Sequence, residues 1–187
     1  MNGESFDIET YTGTHLTWAS LDPSLIHIED IAHALGMQCR YNGHCSSFYS
    51  VAEHCVLAAM LMKREGYSER LQLLTLLHDA AETYIGDIVR PVKDAIPAIK
   101  VLEASVEAVI WEGLRIPPPN DGEVVLVKMA DNIMLATEAD ELMPSGGASW
   151  TLAERPDPGI ALGLWRPAVA SRCFLNRYES LTEAPQC

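Results

Sequence analysis

Apolar residues recur at three- and four-residue steps along most of this chain, which is the period of amphipathic helices. The first forty residues are interrupted by glycine and proline, and they predict one short helix from about Ile28 to Leu35. A longer helix is predicted from about Val51 to Glu65, because Ser50 and Glu53 have the spacing of a capping box at its start. In that motif Ser50 accepts a backbone N–H, and Glu53 reaches back to the cap residue.

A second, leucine-rich helix is predicted after the N-cap candidate Ser68, and it runs to about Tyr84. This prediction places the adjacent residues His78 and Asp79 in the last turns of that helix. The segment from Ile85 to Pro91 is predicted to be a loop, because glycine and proline bracket it and proline disfavours helix at the residue before it.

The C-terminal half continues the helical period, with one interruption. The predicted segments are a helix from about Ile96 to Leu114, a helix from Glu123 to about Leu142 with Asp121 as N-cap, a surface excursion from Pro144 to Gly163, and a helix from about Pro167 to Leu181. Asp131 falls among the apolar residues that share one face of the second of these helices. No strand alternation of useful length appears, so the sequence predicts an all-α bundle of five or more helices.

Length and charge bound the organisation of the chain. With 187 residues, of which 48% are hydrophobic, the chain is long enough for one sizeable core and short for two. We therefore expect a single domain over residues 1–187, with the chemistry concentrated between about 40 and 136. The formal net charge of -13 argues against a stable nucleic-acid complex, because sequence-independent binding requires Lys and Arg to neutralise phosphates.

Cysteine usage and apolar runs indicate the compartment. The five cysteines are an odd number without a repeated spacing, so they give neither a disulfide framework nor a zinc-binding pattern. They are Cys39, Cys45, Cys55, Cys173 and Cys187. The segment from Met1 to Thr10 lacks the features of a signal peptide, and the apolar run from Cys55 to Met62 is too short to span a bilayer. We expect a soluble cytoplasmic protein without membrane contact.

Two histidines and two aspartates form a candidate metal-ligand set: His54, His78, Asp79 and Asp131. Imidazole nitrogen and carboxylate oxygen suit Zn, Co, Mn, Fe or Ni, and four such ligands leave room in an octahedral shell for water and a phosphate oxygen. Ionisable groups that face a core without a partner are costly, which favours a shared ion. The alternative for Asp131 is an ordinary ion pair with Lys128, three residues earlier.

Charged residues near that set are candidates for catalysis and for phosphate binding. Glu82, one turn after the His-Asp doublet, and Asp87, on the following loop, are candidates for proton transfer with an attacking water. Arg40, Lys93 and His44 are candidates for contacts with phosphate oxygens. The alternatives are a solvated charge at a helix end for Glu82 and ordinary surface cations for Arg40 and Lys93.

In this order and with their flanks, these residues resemble the HD-domain phosphohydrolases, a family named after its His-Asp doublet. The resemblance covers about Arg40 to Ala136. Three segments look most like the bacterial 5′-deoxynucleotidases and the phage dATP triphosphohydrolases: Ser50-Val51-Ala52-Glu53-His54, His78-Asp79-Ala80-Ala81-Glu82, and Gly86-Asp87 through Pro91-Val92-Lys93.

The resemblance implies an HD-domain helical bundle that holds one divalent ion per site, whether Zn, Co, Mn, Mg, Fe or Ni. It implies that the four metal ligands are the two histidines and two aspartates named above, that Glu82 and Asp87 serve the attacking water, and that Lys93 contacts phosphate. Arg40-Tyr41 stands about where the deoxynucleotidases have an Arg-Trp pair that holds the nucleotide and disfavours a ribose 2′-hydroxyl. The tyrosine departs from that pattern.

The expected activity is removal of one or more phosphates from 2′-deoxynucleoside 5′-phosphates by a homo-oligomeric enzyme. Two alternatives stay open. One is a non-catalytic nucleotide-binding module with a structural metal, and the other is hydrolysis of a different phosphorylated nucleotide such as guanosine tetraphosphate. No histidine follows His78, which argues against the cyclic-dinucleotide phosphodiesterases and di-iron oxygenases of the superfamily, because these use further histidines.

Overall fold

The computed structural model describes residues 7–183. Within that range the chain forms eight α-helices: α1 (Ile28–Met37), α2 (Val51–Arg64), α3 (Glu69–Leu76), α4 (Glu82–Ile85), α5 (Arg90–Ala95), α6 (Pro97–Gly113), α7 (Asp121–Leu142) and α8 (Pro167–Thr182). Two short antiparallel strands form a hairpin, β1 (Asp7–Glu9) and β2 (His15–Thr17), and 3₁₀ turns occupy Trp18–Ser20, Pro23–Leu25 and Arg40–Gly43. The predicted all-α bundle is confirmed, and the hairpin is an addition that the sequence pattern did not indicate.

Helix α2 lies at the centre of the bundle, where it contacts α1, α3, α7 and α8. Its side chains from Val51 to Met62 are buried, apart from Met60. Small residues such as Ala52 and Ala59 let the neighbouring helices approach closely. His54 is therefore enclosed by protein and has no accessible surface.

The start of α2 follows the sequence prediction in part. Ser50 caps the helix, because its hydroxyl oxygen accepts the Glu53 N–H at 3.1 Å. The Glu53 side chain does not reach back to Ser50, so the predicted capping box is wrong. The buried Glu53 carboxylate instead accepts the backbone N–H groups of Gly163 and Trp165, each at 2.7 Å. Two charge-assisted hydrogen bonds satisfy this carboxylate better than one.

The predicted helix from Ser68 to Tyr84 is interrupted. Ser68 is the N-cap of α3, but that helix ends at Leu76, and residues 77–81 form a run of turns before α4. In a continuous helix the Thr75 carbonyl would accept the N–H of Asp79. It instead accepts the Nδ1–H of the His78 side chain, at 2.7 Å, so a local side-chain hydrogen bond competes with the helical ladder.

Helix α7 begins slightly earlier than the sequence predicts. Its N-cap is Asn120 and not Asp121, and Asn120 forms a reciprocal capping box with Glu123. After α7, residues 143–166 contain no helix or strand and are mostly exposed. Earlier in the chain, the predicted loop holds for residues 86–89, but α5 already starts at Arg90 because Pro91 is tolerated in a first helical turn.

Across residues 7–183, no helix combines the length and the hydropathy needed to cross a bilayer. Four of the cysteines have free thiols: Cys39, Cys45, Cys55 and Cys173. Cys187 and the first six residues of the N-terminal segment discussed above lie outside the described residues.

Candidate metal centre

Four predicted ligands converge from three separate parts of the chain: His54 from α2, His78 and Asp79 from the turns after α3, and Asp131 from α7. The Nε2 atoms of the two histidines are 3.3 Å apart. Asp131 Oδ1 lies 3.4 Å from His54 Nε2 and 3.8 Å from His78 Nε2. Asp79 Oδ2 lies 3.2 Å from His78 Nε2 and 3.6 Å from His54 Nε2. Ligand atoms about 2.1 Å from one ion are separated by about 3.0 Å when they subtend about 90° and by about 4.2 Å when they lie opposite each other, so these five spacings fit a shared divalent cation.

The orientation of both imidazoles also fits a metal. His54 Nδ1 lies 2.5 Å from Oε1 of Glu138, and His78 Nδ1 lies 2.7 Å from the Thr75 carbonyl oxygen. Because a carbonyl or a carboxylate can only accept, each Nδ1 donates a proton, and each Nε2 is the ring nitrogen that faces the cluster. Metal-ligating histidines in proteins are fixed in this way by an acceptor on the second nitrogen.

The electrostatics of the cluster call for a shared positive charge. Burial lowers the pKa of His78, but Asp79 and Asp131 outweigh it, and the pKa is raised well above its ordinary value. Burial raises the pKa of Asp131, yet hydrogen bonds from the two histidines hold that pKa well below its ordinary value. The carboxylates of Asp79 and Asp131 therefore need positive charge beside them, which either protons on the imidazoles or a divalent ion supplies.

Cys55 forms a second candidate ligand group with His78 and Asp79, with their ligand atoms all within 4.8 Å of one another. Burial raises the pKa of the Cys55 thiol to about 11. Since the thiolate is the form that binds metals, the set with His54 and Asp131 is the better candidate.

Glu138 is the site residue that the sequence analysis missed. It is fully buried on α7, where its Oε2 atom accepts the Nε–H of Arg40 at 3.0 Å and the hydroxyl of Tyr41 at 2.5 Å. Burial raises the pKa of Glu138, but Arg40 and His54 lower it to about 2. Glu138 follows Asp131 by seven residues, two helical turns, so the helical period was the signal that would have found it.

The predicted nucleotide contacts Arg40 and Tyr41 are held at the cluster by other side chains. Arg40 is buried, and its Nη1 atom lies 3.5 Å from Asp79 Oδ2, so this guanidinium links Glu138 with a candidate ligand. The Tyr41 backbone N–H donates to Asp87 Oδ2 at 3.2 Å. Tyr41 has a left-handed conformation, with φ of 58°, which is strained for a residue other than glycine.

Glu82 is buried next to the doublet. Its Oε1 atom accepts from Lys93 Nζ at 3.3 Å, while its Oε2 atom has no hydrogen-bond partner in residues 7–183. Burial, followed by the charges of Asp79 and Asp87, raises the pKa of Glu82 well above its ordinary value. Lys93 Nζ also lies 2.5 Å from Glu103 Oε1, so the predicted phosphate contact is engaged by two carboxylates.

Asp131 lies in the candidate ligand set and also forms the ion pair with Lys128 that the sequence analysis gave as the alternative. Its Oδ1 atom faces the histidines, and its Oδ2 atom lies 2.5 Å from Lys128 Nζ and 3.9 Å from Arg90 Nη2. The side chains of Lys128 and Arg90 are each 53% exposed, so they stand on the solvent side of the cluster. His44, by contrast, is exposed and makes no side-chain hydrogen bond or ion pair with any residue that the structure describes.

No model of a known protein family matches the sequence. The chain is 36% identical, over 182 residues, to uncharacterized protein YfdR of Escherichia coli (strain K12), a match that covers 96% of this chain and 98% of that protein. It is 34% identical, over 184 residues, to uncharacterized protein RCAP_rcc00048 of Rhodobacter capsulatus, a match that covers 91% of this chain and 92% of that protein. The similarity thus extends over nearly the full length of both relatives.

Proposed function

The chain belongs to the protein family of YfdR and RCAP_rcc00048, and we propose that it is an HD-type, divalent-metal-dependent phosphohydrolase acting on 2′-deoxynucleoside 5′-phosphates. The observation that carries the proposal is the convergence of His54, His78 and Asp131, whose ligand atoms all lie within 4.8 Å of one another. Asp79 completes the set, since its Oδ2 atom is within 3.6 Å of both histidines.

One divalent ion per site would be held by His54, His78, Asp79 and Asp131. When bound, such an ion supplies Lewis-acid polarisation of a phosphoryl group and makes a nearby water more acidic. Glu82 has the position and the free carboxylate oxygen to take up a proton from the attacking water. A structural metal clamp would need the ligands but no spare buried carboxylate beside them, which favours an enzyme over a non-catalytic module.

Positive charge around the cluster supports an anionic substrate. The chain as a whole carries a net charge of -13, so a phosphate must be met by local cations. Arg40 and Lys93 are engaged with buried carboxylates, where they hold Glu138 and Glu82 in place. Arg90 and Lys128 are on the exposed side, and we assign them the first contacts with phosphate oxygens.

The proposal includes assembly into a homo-oligomer in the cytoplasm, without a stable nucleic-acid complex. Exposed apolar side chains on α6 and α7, among them Val101 and Val125, are compatible with the first part. The negative net charge supports the last part, because it repels a phosphate backbone.

The direct test is a screen of deoxy- and ribonucleoside mono-, di- and triphosphates with Mn, Co, Zn or Mg and with product identification. We expect release of phosphate from deoxynucleotides in preference to ribonucleotides. Orthophosphate from monophosphates identifies a 5′-deoxynucleotidase, and tripolyphosphate from triphosphates identifies a triphosphohydrolase. The absence of any released phosphate with all four metals would contradict the proposal.

The role of Glu82 is tested by Glu82→Gln. Loss of a proton-transfer group is expected to reduce kcat by about 100- to 10,000-fold while bound metal, measured by elemental analysis, stays at the wild-type level. The matched control is Glu141→Gln, which alters an exposed glutamate on α7. Wild-type turnover in Glu82→Gln would show that the proton is taken up elsewhere.

A further inference from the structure

Tyr41 is fixed beside the metal centre by contacts at both ends. Its hydroxyl donates to Glu138 Oε2 at 2.5 Å, and Glu138 Oε1 lies 2.5 Å from His54 Nδ1. Its backbone N–H donates to Asp87 Oδ2 at 3.2 Å. The Glu138 side chain therefore links Tyr41 to the metal-ligand candidate His54, and the Tyr41 ring has little freedom to move.

Trp150 lies against this fixed ring. The two ring centroids are 5.9 Å apart, and the ring planes are inclined by 52°. A tilted pair of this kind is not a stack, and Trp150 remains 37% exposed. The other tryptophans of the chain, Trp18, Trp111 and Trp165, pack against the hydrophobic core. Trp150 thus lies beside Tyr41 with part of its indole surface exposed, where a second ring could pack.

The segment that carries Trp150 is attached to the site at both ends. At its start, the N–H of Ser46 donates to the Leu142 carbonyl at 2.9 Å, just after the 3₁₀ turn that contains Tyr41. At its end, Gly163 and Trp165 donate to Glu53, the residue before His54 in α2. These anchors define the position of the segment relative to the metal centre.

We propose that Trp150, backed by Tyr41, is the surface on which the nucleobase of the substrate stacks. The inference rests on the proposed function, because it assigns the base-binding side of the same site. Every base has a π-face, so such a surface accepts all bases, and the larger purine rings gain more contact than pyrimidines. Among the 2′-deoxynucleotides of the proposed function, this surface therefore favours the purines.

The first test compares a deoxynucleotide with a base-free deoxyribose phosphate that has the same number of phosphates. In Trp150→Ala, the ratio of kcat/KM between these two substrates is expected to fall by about 5- to 100-fold, through KM, because one base–aromatic stack is lost. Trp150→Phe is expected to restore most of that ratio. Tyr11→Ala is the matched control, because Tyr11 is an exposed aromatic residue that stacks on His33 of α1.

The second test measures binding to the metal-free proteins, so that the nucleotide is not hydrolysed. Calorimetric titration with 2′-deoxyadenosine 5′-monophosphate is expected to give a Kd about 5- to 100-fold higher for Trp150→Ala than for wild type, with a smaller change for thymidine 5′-monophosphate. Equal affinities of the two proteins, or no binding to wild type, would overturn the assignment of Trp150. Hydrolysis of both substrates by wild type, with an unchanged substrate ratio in the variant, would overturn the inference and leave the proposed function intact.

Discussion

His54 Nδ1 lies 2.5 Å from Oε1 of Glu138, and neither side chain has any accessible surface. The contact joins α2 to α7 across 84 positions of the sequence. Because the carboxylate accepts the Nδ1 proton, Nε2 is the ring nitrogen of His54 that faces His78 and Asp131. A residue that is not itself a ligand candidate thus determines how one candidate ligand is presented.

Replacing Glu138 with Gln tests that relationship. The amide is neutral and a weaker acceptor, so the variant is expected to bind Zn or Mn about 10- to 100-fold more weakly than wild type. Calorimetric titration of the metal-free proteins measures the difference. Glu141→Gln, on the exposed side of the same helix, is the control and should bind like wild type. Equal affinity of Glu138→Gln and the control would mean that His54 is oriented by other contacts.

The buried pair of Arg40 and Glu138 predicts a large loss of stability when one partner is removed. Glu138→Ala leaves the Arg40 guanidinium buried without its main counter-charge, and it should lower the free energy of unfolding by about 3–5 kcal/mol. The double variant Arg40→Met with Glu138→Ala should lose less than the sum of the two single changes, by about 0.5–3 kcal/mol. Denaturant unfolding measures all four proteins, and strict additivity would show that the two side chains act independently.

Local patterns predicted the helical class, and the resemblance to the HD-domain family predicted that the ligand candidates lie close together. The helical period placed Asp131 on an inward face, and the Ser50 cap placed His54 near the start of α2. The same reasoning put His78 and Asp79 inside a continuous helix, which is wrong. The helical period of the sequence does not indicate that the His78 side chain binds the Thr75 carbonyl and so interrupts the helix.

Contacts between distant segments were the part that the sequence did not reveal. Glu53 had a local explanation as a capping residue, but its carboxylate binds backbone N–H groups more than a hundred positions away. The contact of Tyr41 with Trp150 also depends on the path of the irregular segment after α7. Such segments have no periodicity, so their position follows only from the folded structure.

Glu107 on α6 provides a test of the charge around the centre. Burial, followed by the nearby Glu103 and Asp79, raises the pKa of Glu107 above its ordinary value of 4.5. A carboxyl group with a raised pKa in the folded protein favours folding below its ordinary pKa, and that contribution is lost as the pH rises through the raised value. Glu107→Gln should therefore raise Tm by roughly 2 °C at pH 7 and give no advantage at about pH 4.

Thermal unfolding of metal-free protein at both pH values measures this difference. Glu112→Gln alters an exposed glutamate on the same helix and serves as the control. An increase of Tm that is as large at the acidic pH as at the neutral one would rule out ionisation of Glu107 as the cause.

The Sγ atoms of Cys39 and Cys45 are 3.6 Å apart, on either side of the 3₁₀ turn that carries Arg40 and Tyr41. A disulfide bond is about 2.05 Å long, so the two thiols need only a small approach to join. We expect diamide to link them, with the oxidant taking up the two electrons and two protons that the thiols lose. Burial, followed by the neighbouring Cys39, raises the pKa of Cys45, so cross-linking should accelerate as the pH is raised toward alkaline values. Peptide mapping by mass spectrometry measures the link. The variant Cys45→Ser should abolish it. A disulfide formed only with Cys173 would contradict the geometry of this turn.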